Sequence, residues 1–126
     1  MIIFQNVSKL YKVNSHEIAA LDDASFTINP KEFVSVVGRS GAGKSTIVKL
    51  LIGEDEPTKG RIIFGSYDVN KLKHRELPQL RRRIGVIFQD FRLLPNKTAY
   101  ENVAFALEAA GRLETDIKEF VPQALD

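Results

Sequence analysis

The chain has 126 residues, 44% of them hydrophobic and 27% charged, with a net charge of +2. This is the composition of an ordinary globular domain, or part of one, and so small a net charge gives no argument for nucleic acid as a partner. Cysteine is absent, which excludes a disulfide framework and a thiolate metal site and fits a reducing compartment. No apolar run approaches the ~20 residues that span a bilayer. Met1 to Val7 lacks the length and charge expected of a signal peptide, so a membrane role is expected to come through a partner.

Ile2 to Val7 reads as a first strand. Lys9 to Lys12 and the polar Asn14, Ser15 and His16 then read as a loop. Ala24, Phe26 and Ile28 alternate with Ser25, Thr27 and Asn29, the period of two expected of a half-exposed antiparallel strand. Asn29, Pro30 and Lys31 make a turn. Phe33 to Val37 follows as an almost wholly apolar, β-branched run, expected to be a strand buried on both faces. With the preceding strand it would form a hairpin ending beside the next segment.

That segment is Gly38, Arg39, Ser40, Gly41, Ala42, Gly43, Lys44 and Ser45, followed by Thr46. It fits G-x-x-x-x-G-K-[ST], the phosphate-binding loop (P-loop) of nucleoside triphosphatases. Glycines let successive amides curl round a phosphate without Cβ clashes. Lys44 sets a positive charge against the β- and γ-phosphates, and the Ser45 hydroxyl suits Mg²⁺, a hard cation that prefers oxygen. Ile47, Leu50 and Leu51 then mark one helical face, with Gly53 as the C′ residue. A loop between a strand and a helix N-terminus adds the helix dipole to an anion site.

Glu54 to Lys59 reads as a connection and Arg61 to Phe64 as a short strand ended by Gly65. Pro78 suits the first turn of a helix running to about Arg83. Ile84 to Phe88 is expected to be a second buried strand. Thr98 and Glu101 have capping-box spacing, and Tyr100, Val103, Ala104, Leu107 and Ala110 line one face of the helix that follows, ending near Gly111. Ile117, Phe120, Val121 and Ala124 suggest a last helix, which Pro122 should break or kink. The basic run Lys71, Lys73, Arg75, Arg81, Arg82 and Arg83 admits two readings, a solvated face or a contact with anionic lipid or an acidic partner. Without interleaved aromatics it does not suggest nucleic acid. His16 and His74 are expected to be solvated.

Taken together these residues resemble the ATP-binding subunit of ATP-binding-cassette (ABC) transporters. The carriers are Tyr11 after Lys9 and Leu10, the loop at 38–45, Pro57 to Ile62, and R-R-R-I-G-V-I-F-Q from Arg81 to Gln89. Arg39 departs from the more usual proline. Phe88 to Leu94, Lys97, Thr98 and the Y-E-N-V-A-F-A-L run from Tyr100 are closest to the members that serve cell division, with lipoprotein-release and macrolide-export relatives sharing much of the pattern. The resemblance implies an α/β fold of the ABC ATPase type: a mixed sheet with an antiparallel portion and the start of a helical subdomain. On that basis residues 1–94 belong to the core and 95–126 to the helical subdomain.

The resemblance also implies ATP and Mg²⁺ as ligands. Tyr11 stacks on adenine, residues 38–46 hold the phosphates, and Ser45 and Gln89 serve the metal. Gln89 also hinges the helical part, and Phe91 to Leu94 face an integral membrane permease partner. The implied assembly is a head-to-tail homodimer held peripherally at the cytoplasmic face of the membrane. No L-S-G-G signature occurs in the sequence, and no apolar strand ends in Asp-Glu. Asp90 is not the family's catalytic carboxylate, so the chain is expected to be an N-terminal half with no catalytic residue of its own. A complete, non-hydrolysing nucleotide-binding module is the alternative. A small-molecule kinase shares the loop but leaves Tyr11 and the Gln89 region unexplained.

Overall fold

The computed structural model describes residues 1–126. Alternation over residues 24–28 does mark an antiparallel strand, but one much longer than the alternating stretch. β1 runs Ile2–Val13 and β2 runs His16–Ile28, paired from Ile2↔Ile28 to Val13↔His16. The expected loop at 9–16 is therefore mostly strand. Only Asn14 and Ser15 turn, with φ of 46° and 68°, the paired positive values of a two-residue hairpin whose twist matches its strands. The polar side chains of 9–16 hid this strand because both of its faces carry polar groups.

The hairpin is irregular where polar side chains replace ladder bonds. Its register shifts between Phe4 and Val7 and again up to Leu10. Asn6 and Asp23 both take positive φ. The Asn6 side-chain amide donates to Asp23, the Asn6 backbone N–H donates to the Ser25 hydroxyl, and the Asp23 N–H donates to the Ser8 hydroxyl. These bonds satisfy the amides that the bulges free.

α1 spans Lys44–Leu51, β3 Lys59–Phe64 and β4 Tyr67–Asp68. The sheet order is β2-β1-β3-β4, antiparallel throughout. A single 3₁₀ turn, Val69–Lys71, leads on to α2, Leu77–Arg81, with Pro78 in its first turn. The core lies between sheet and helices: Phe4, Val7, Leu50, Ile62, Val69 and Leu80 are buried. Phe4 stacks on Phe26, centroids 4.5 Å apart. The expected face of α1 is borne out, with Leu50 fully buried and Ile47 and Leu51 packed against it. Each such burial contributes ~1.5–3 kcal/mol.

Two expected strands do not form. Phe33–Val37 has no ladder partner, and Phe33 and Val37 are 92% and 89% exposed. Ile84–Phe88 is likewise without regular structure, and Ile87 is 97% exposed. A strand exists only through a neighbour's amides, and every strand in this chain already belongs to the antiparallel sheet. The turn before Phe33 does form: the Glu32 N–H donates to Asn29 O, and the Glu32 carboxylate accepts from the Asn29 N–H.

The chain divides into two compact units, Met1–Ile84 and Gly85–Asp126. The second contains α3, Ala99–Ala109, and α4, Glu114–Leu125, packed through Ala104, Ile117 and Val121. The capping box is present: the Glu101 N–H donates to the Thr98 hydroxyl, and the Thr98 N–H donates to the Glu101 carboxylate. Asn102 ties the preceding loop to α3, accepting from the Leu94 N–H and donating to the carbonyls of Leu94, Lys97 and Thr98. α4 continues through Pro122 rather than breaking. Pro122 lies in the last turn, where it removes one bond, to the Lys118 carbonyl, while Ile117 and Val121 hold the helix by packing.

Candidate nucleotide site

The loop ahead of α1 brings its backbone into close contact with β2. Gly41 and Gly43 take φ of 81° and 84°. At Gly43 a Cβ would stand 2.0 Å from the carbonyl oxygen of Ala20 on β2. Only glycine combines that conformation with that contact. Gly43 is the N-cap of α1, so the helix starts with no side-chain cap and no acidic residue in its first turn. The positive end of the helix is left to meet an anion.

Lys44 folds back over this loop. Its ammonium donates to the carbonyl oxygens of Gly38 and Arg39, both at 2.7 Å. The Ala42 N–H donates to Arg39 O at 3.1 Å, closing the same turn. Ser45 is exposed at the start of α1 and Thr46 is buried. The other end of α1 is closed by the Gly53 and Glu54 N–H groups donating to Leu50 O and Lys49 O, with Gly53 at φ 61° as the expected C′ residue. Arg81 adds bonds of 2.9 Å to the carbonyls of Ile52 and Gly53.

Tyr11, on β1, is brought to the same helix. The Thr46 side chain hydrogen-bonds to its hydroxyl, which in turn donates to Asp55 Oδ2 at 2.7 Å. The Lys9 ammonium lies 4.9 Å from the Tyr11 ring centroid and contacts Asp55 Oδ1 at 2.5 Å. Burial, and then the bond to Asp55, push the Tyr11 phenol above its ordinary pKa, with Thr46 opposing. Burial pushes Asp55 upward, but the bonds from Lys9, Tyr11 and the Glu56 amide outweigh it and hold the carboxyl below its ordinary value.

Thus Tyr11 meets α1 at Thr46 and, just past its end, Asp55, all within the first unit, and α1 is the helix that the loop at 38–43 begins. Gln89 lies exposed in a turn of the second unit, so neither unit alone unites Ser45 with Gln89. The Gln89 turn is itself strained: Phe91 and Arg92 have φ of 55° and 46°, and the Arg92 guanidinium sits 3.7 Å from the Phe88 ring centroid. Phe91 and Leu93 are 75% and 67% exposed. The second unit also holds a cleft of about 370 Å³ along α3 and α4, lined by Leu94, Tyr100, Phe105 and Ile117 among others.

The basic run resolves partly into internal contacts. Arg81 caps α1, Arg83 lies over the Tyr67 ring at 5.7 Å, and Lys71 pairs with Asp68 at 3.6 Å. His16 is the exposed first residue of β2, its Nδ1 3.1 Å from Asn14 O. Sequence reasoning missed Lys9 and Asp55. Lys9 and Tyr11 share a face of β1 by their i, i+2 spacing, a signal hidden while residues 9–12 read as loop.

The donor set fits a nucleoside triphosphate: an uncapped helix end, one ammonium, a hydroxyl and a neighbouring aromatic ring. No group of three or more His, Cys, Asp or Glu could hold a metal; the Ser45 hydroxyl, exposed at the start of α1, is an oxygen donor of the kind Mg²⁺ takes.

An alpha/beta fold with this loop defines a nucleoside triphosphatase class of protein, and comparison narrows it. The family model described as "ABC transporter" matches residues 21–125, and the chain belongs to that family. It is 49% identical over 120 residues to the cell division ATP-binding protein FtsE of Bacillus subtilis, covering 95% of this chain and 53% of that protein. It is 42% identical over 127 residues to the methionine import ATP-binding protein MetN 1 of Rhodopseudomonas palustris, covering 99% of this chain and 34% of that protein. The solved ATP-binding cassette MJ0796, in a dimeric post-hydrolysis state bound to ADP and Pi, matches at a TM-score of 0.91 and 35% identity, covering 99% of this chain and 56% of that one. The chain thus spans about half the length of the FtsE proteins it matches. No helix is long and apolar enough to cross a membrane.

Proposed function

We propose that the chain is the ATP-binding, N-terminal half of an FtsE-like ABC ATPase subunit, coupling ATP binding and hydrolysis to a membrane partner in cell division. One observation carries the reading: the Lys44 ammonium, 2.7 Å from Gly38 O and Arg39 O, lies across the mouth of an uncapped helix N-terminus. That is the place of an incoming phosphate. Tyr11 receives the base, residues 38–46 receive the phosphates, and Ser45 and Gln89 serve the Mg²⁺ ion.

The partner in this reading is an FtsX-like permease, and the assembly is a head-to-tail homodimer peripheral to the cytoplasmic face of the membrane. The exposed Phe91 and Leu93 supply part of the contact with the permease. Within the family's plan residues 1–94 are core and 95–126 open the helical subdomain. The unpaired Phe33–Val37 and Ile84–Phe88 await strands from the rest of the subunit, which also brings the carboxylate that orients water. Phosphoryl transfer is mainly positioning and charge stabilisation, and the residues here supply the cradle, the lysine and a hydroxyl for the metal. The 42% identity to MetN 1 supports a second reading, an ATP-binding subunit of a solute transporter; lipoprotein release and macrolide export belong to the same alternative.

Isothermal calorimetry of MgATP with the chain and with Lys44→Ala tests the site. Binding to the parent and loss of it in the variant, with an unchanged circular dichroism spectrum, is the expected result. Equal affinity in both overturns the role of Lys44.

A further inference from the structure

The hydroxyl of Tyr11 donates to Asp55 Oδ2 at 2.7 Å. Asp55 itself is held from three sides. Lys9 reaches Oδ1 at 2.5 Å, the Glu56 N–H donates to Oδ1 at 2.8 Å, and Tyr11 takes the other oxygen. Lys9 also donates to Glu56 O at 2.7 Å and stands 4.9 Å from the Tyr11 ring centroid. Its side chain is only 12% exposed, so this is not a frayed surface pair, which would contribute little. Asp55 sits just beyond α1, past Gly53, and its own N–H donates to Lys49 O. The carboxylate is therefore fixed to the helix that the phosphate loop begins.

We propose that Asp55 is a positioning residue for nucleotide recognition: clamped by Lys9 and the Glu56 amide, it holds the Tyr11 hydroxyl and so sets the ring on which the base stacks. The inference rests on the reading of Tyr11 and residues 38–46 as an ATP site. Stacking is tolerant of base identity but not of ring orientation. A ring already fixed loses less freedom on binding, which strengthens affinity without a new contact. Lys9 stands over the ring, which is half-buried on β1. Because Asp55 is anchored to the end of α1, the distance from ring to phosphate loop is set by one rigid helix. The bland reading is a clasp between β1 and the α1–β3 connection, which holds the fold and is indifferent to the base.

The test separates base from phosphate by titrating the chain with MgATP and, in parallel, with magnesium tripolyphosphate, which has no base. Asp55→Ala and Tyr11→Phe are each expected to weaken MgATP binding about 3- to 10-fold, the worth of one hydrogen bond, and to leave tripolyphosphate affinity unchanged. The double variant is expected to be no weaker than either single one, since both cut the same link. In an absorbance titration of the phenols, Tyr11→Phe identifies the Tyr11 step, and Asp55→Ala moves that step to lower pH because a neighbouring anion and its hydrogen bond are gone.

Unchanged MgATP affinity in Tyr11→Phe and Asp55→Ala overturns the proposal while leaving the phosphate site standing. Equal weakening of both ligands in both variants also overturns it, because the effect is then on the loop. Should Asp55→Ala lose both ligands through misfolding, Tyr11→Phe decides alone by the same criterion. A parent chain that binds neither ligand, or binds both equally with Lys44→Ala, removes the ATP-site reading and this inference with it.

Discussion

Lys44 compensates two carbonyl oxygens, those of Gly38 and Arg39. A triphosphate offers charged oxygens instead, and charge-assisted bonds are roughly twice as strong as bonds to a neutral carbonyl. On the proposed reading the lysine would thus exchange weak partners for strong ones. Gly43 has no such choice. Its positive φ and the Ala20 carbonyl leave no room for a methyl group. Gly43→Ala is expected to cost ~1–3 kcal/mol, seen as a lower urea midpoint at constant slope; an unchanged midpoint would show that β2 yields. These residues were legible because the loop chemistry fixes residue types at fixed spacing. The Lys9–Asp55–Tyr11 group was not, because Asp55 is far from the other two in sequence and meets them only when β1 and the end of α1 pack together.

Short elements here are held by their ends. α1 has a glycine start and a closed C-terminus, reinforced by Arg81 from well along the chain. α3 was readable at both ends, from Thr98 with Glu101 and from Gly111, whose φ is 77°. The helix is exposed over much of its length, so its cap matters. Thr98→Ala is expected to destabilise the second unit by about 1 kcal/mol, measurable as faster amide exchange at Glu101 and in the turn after it. Exchange unchanged at those amides would mean that Asn102, with its bonds to Leu94, Lys97 and Thr98, holds the turn without the cap. The expected strands at 33–37 and 84–88 had the right composition and the wrong outcome. Composition reports how apolar a segment is, whereas a ladder needs a neighbour, and no sequence window contains the neighbour.

Across the whole chain, the antiparallel sheet and the helical pair each have a small core of their own. Outside these cores, Phe33 and Val37 of the first unit and Ile87 of the second are almost fully exposed. Exposed apolar residues on unpaired extended backbone template association, and a net charge of +2 offers little repulsion against it. The chain by itself is expected to be marginally stable and to self-associate, with a sedimentation coefficient that rises with concentration. A sharp two-state melt of a strict monomer would contradict this. The family could be read from the sequence because its motifs are local. The antiparallel sheet was only partly legible, because pairing over β1 and β2 extends through residues whose polarity suggests solvent.

The two-residue tip at Asn14 and Ser15 offers a practical handle. The protein has no thiol, so cysteine in place of Ser15 would accept a single dye at an exposed turn. That dye would ride at the tip of the hairpin whose first strand carries Tyr11, and on the proposed reading its emission would follow the arrival of a base without any chemistry at the phosphate loop itself.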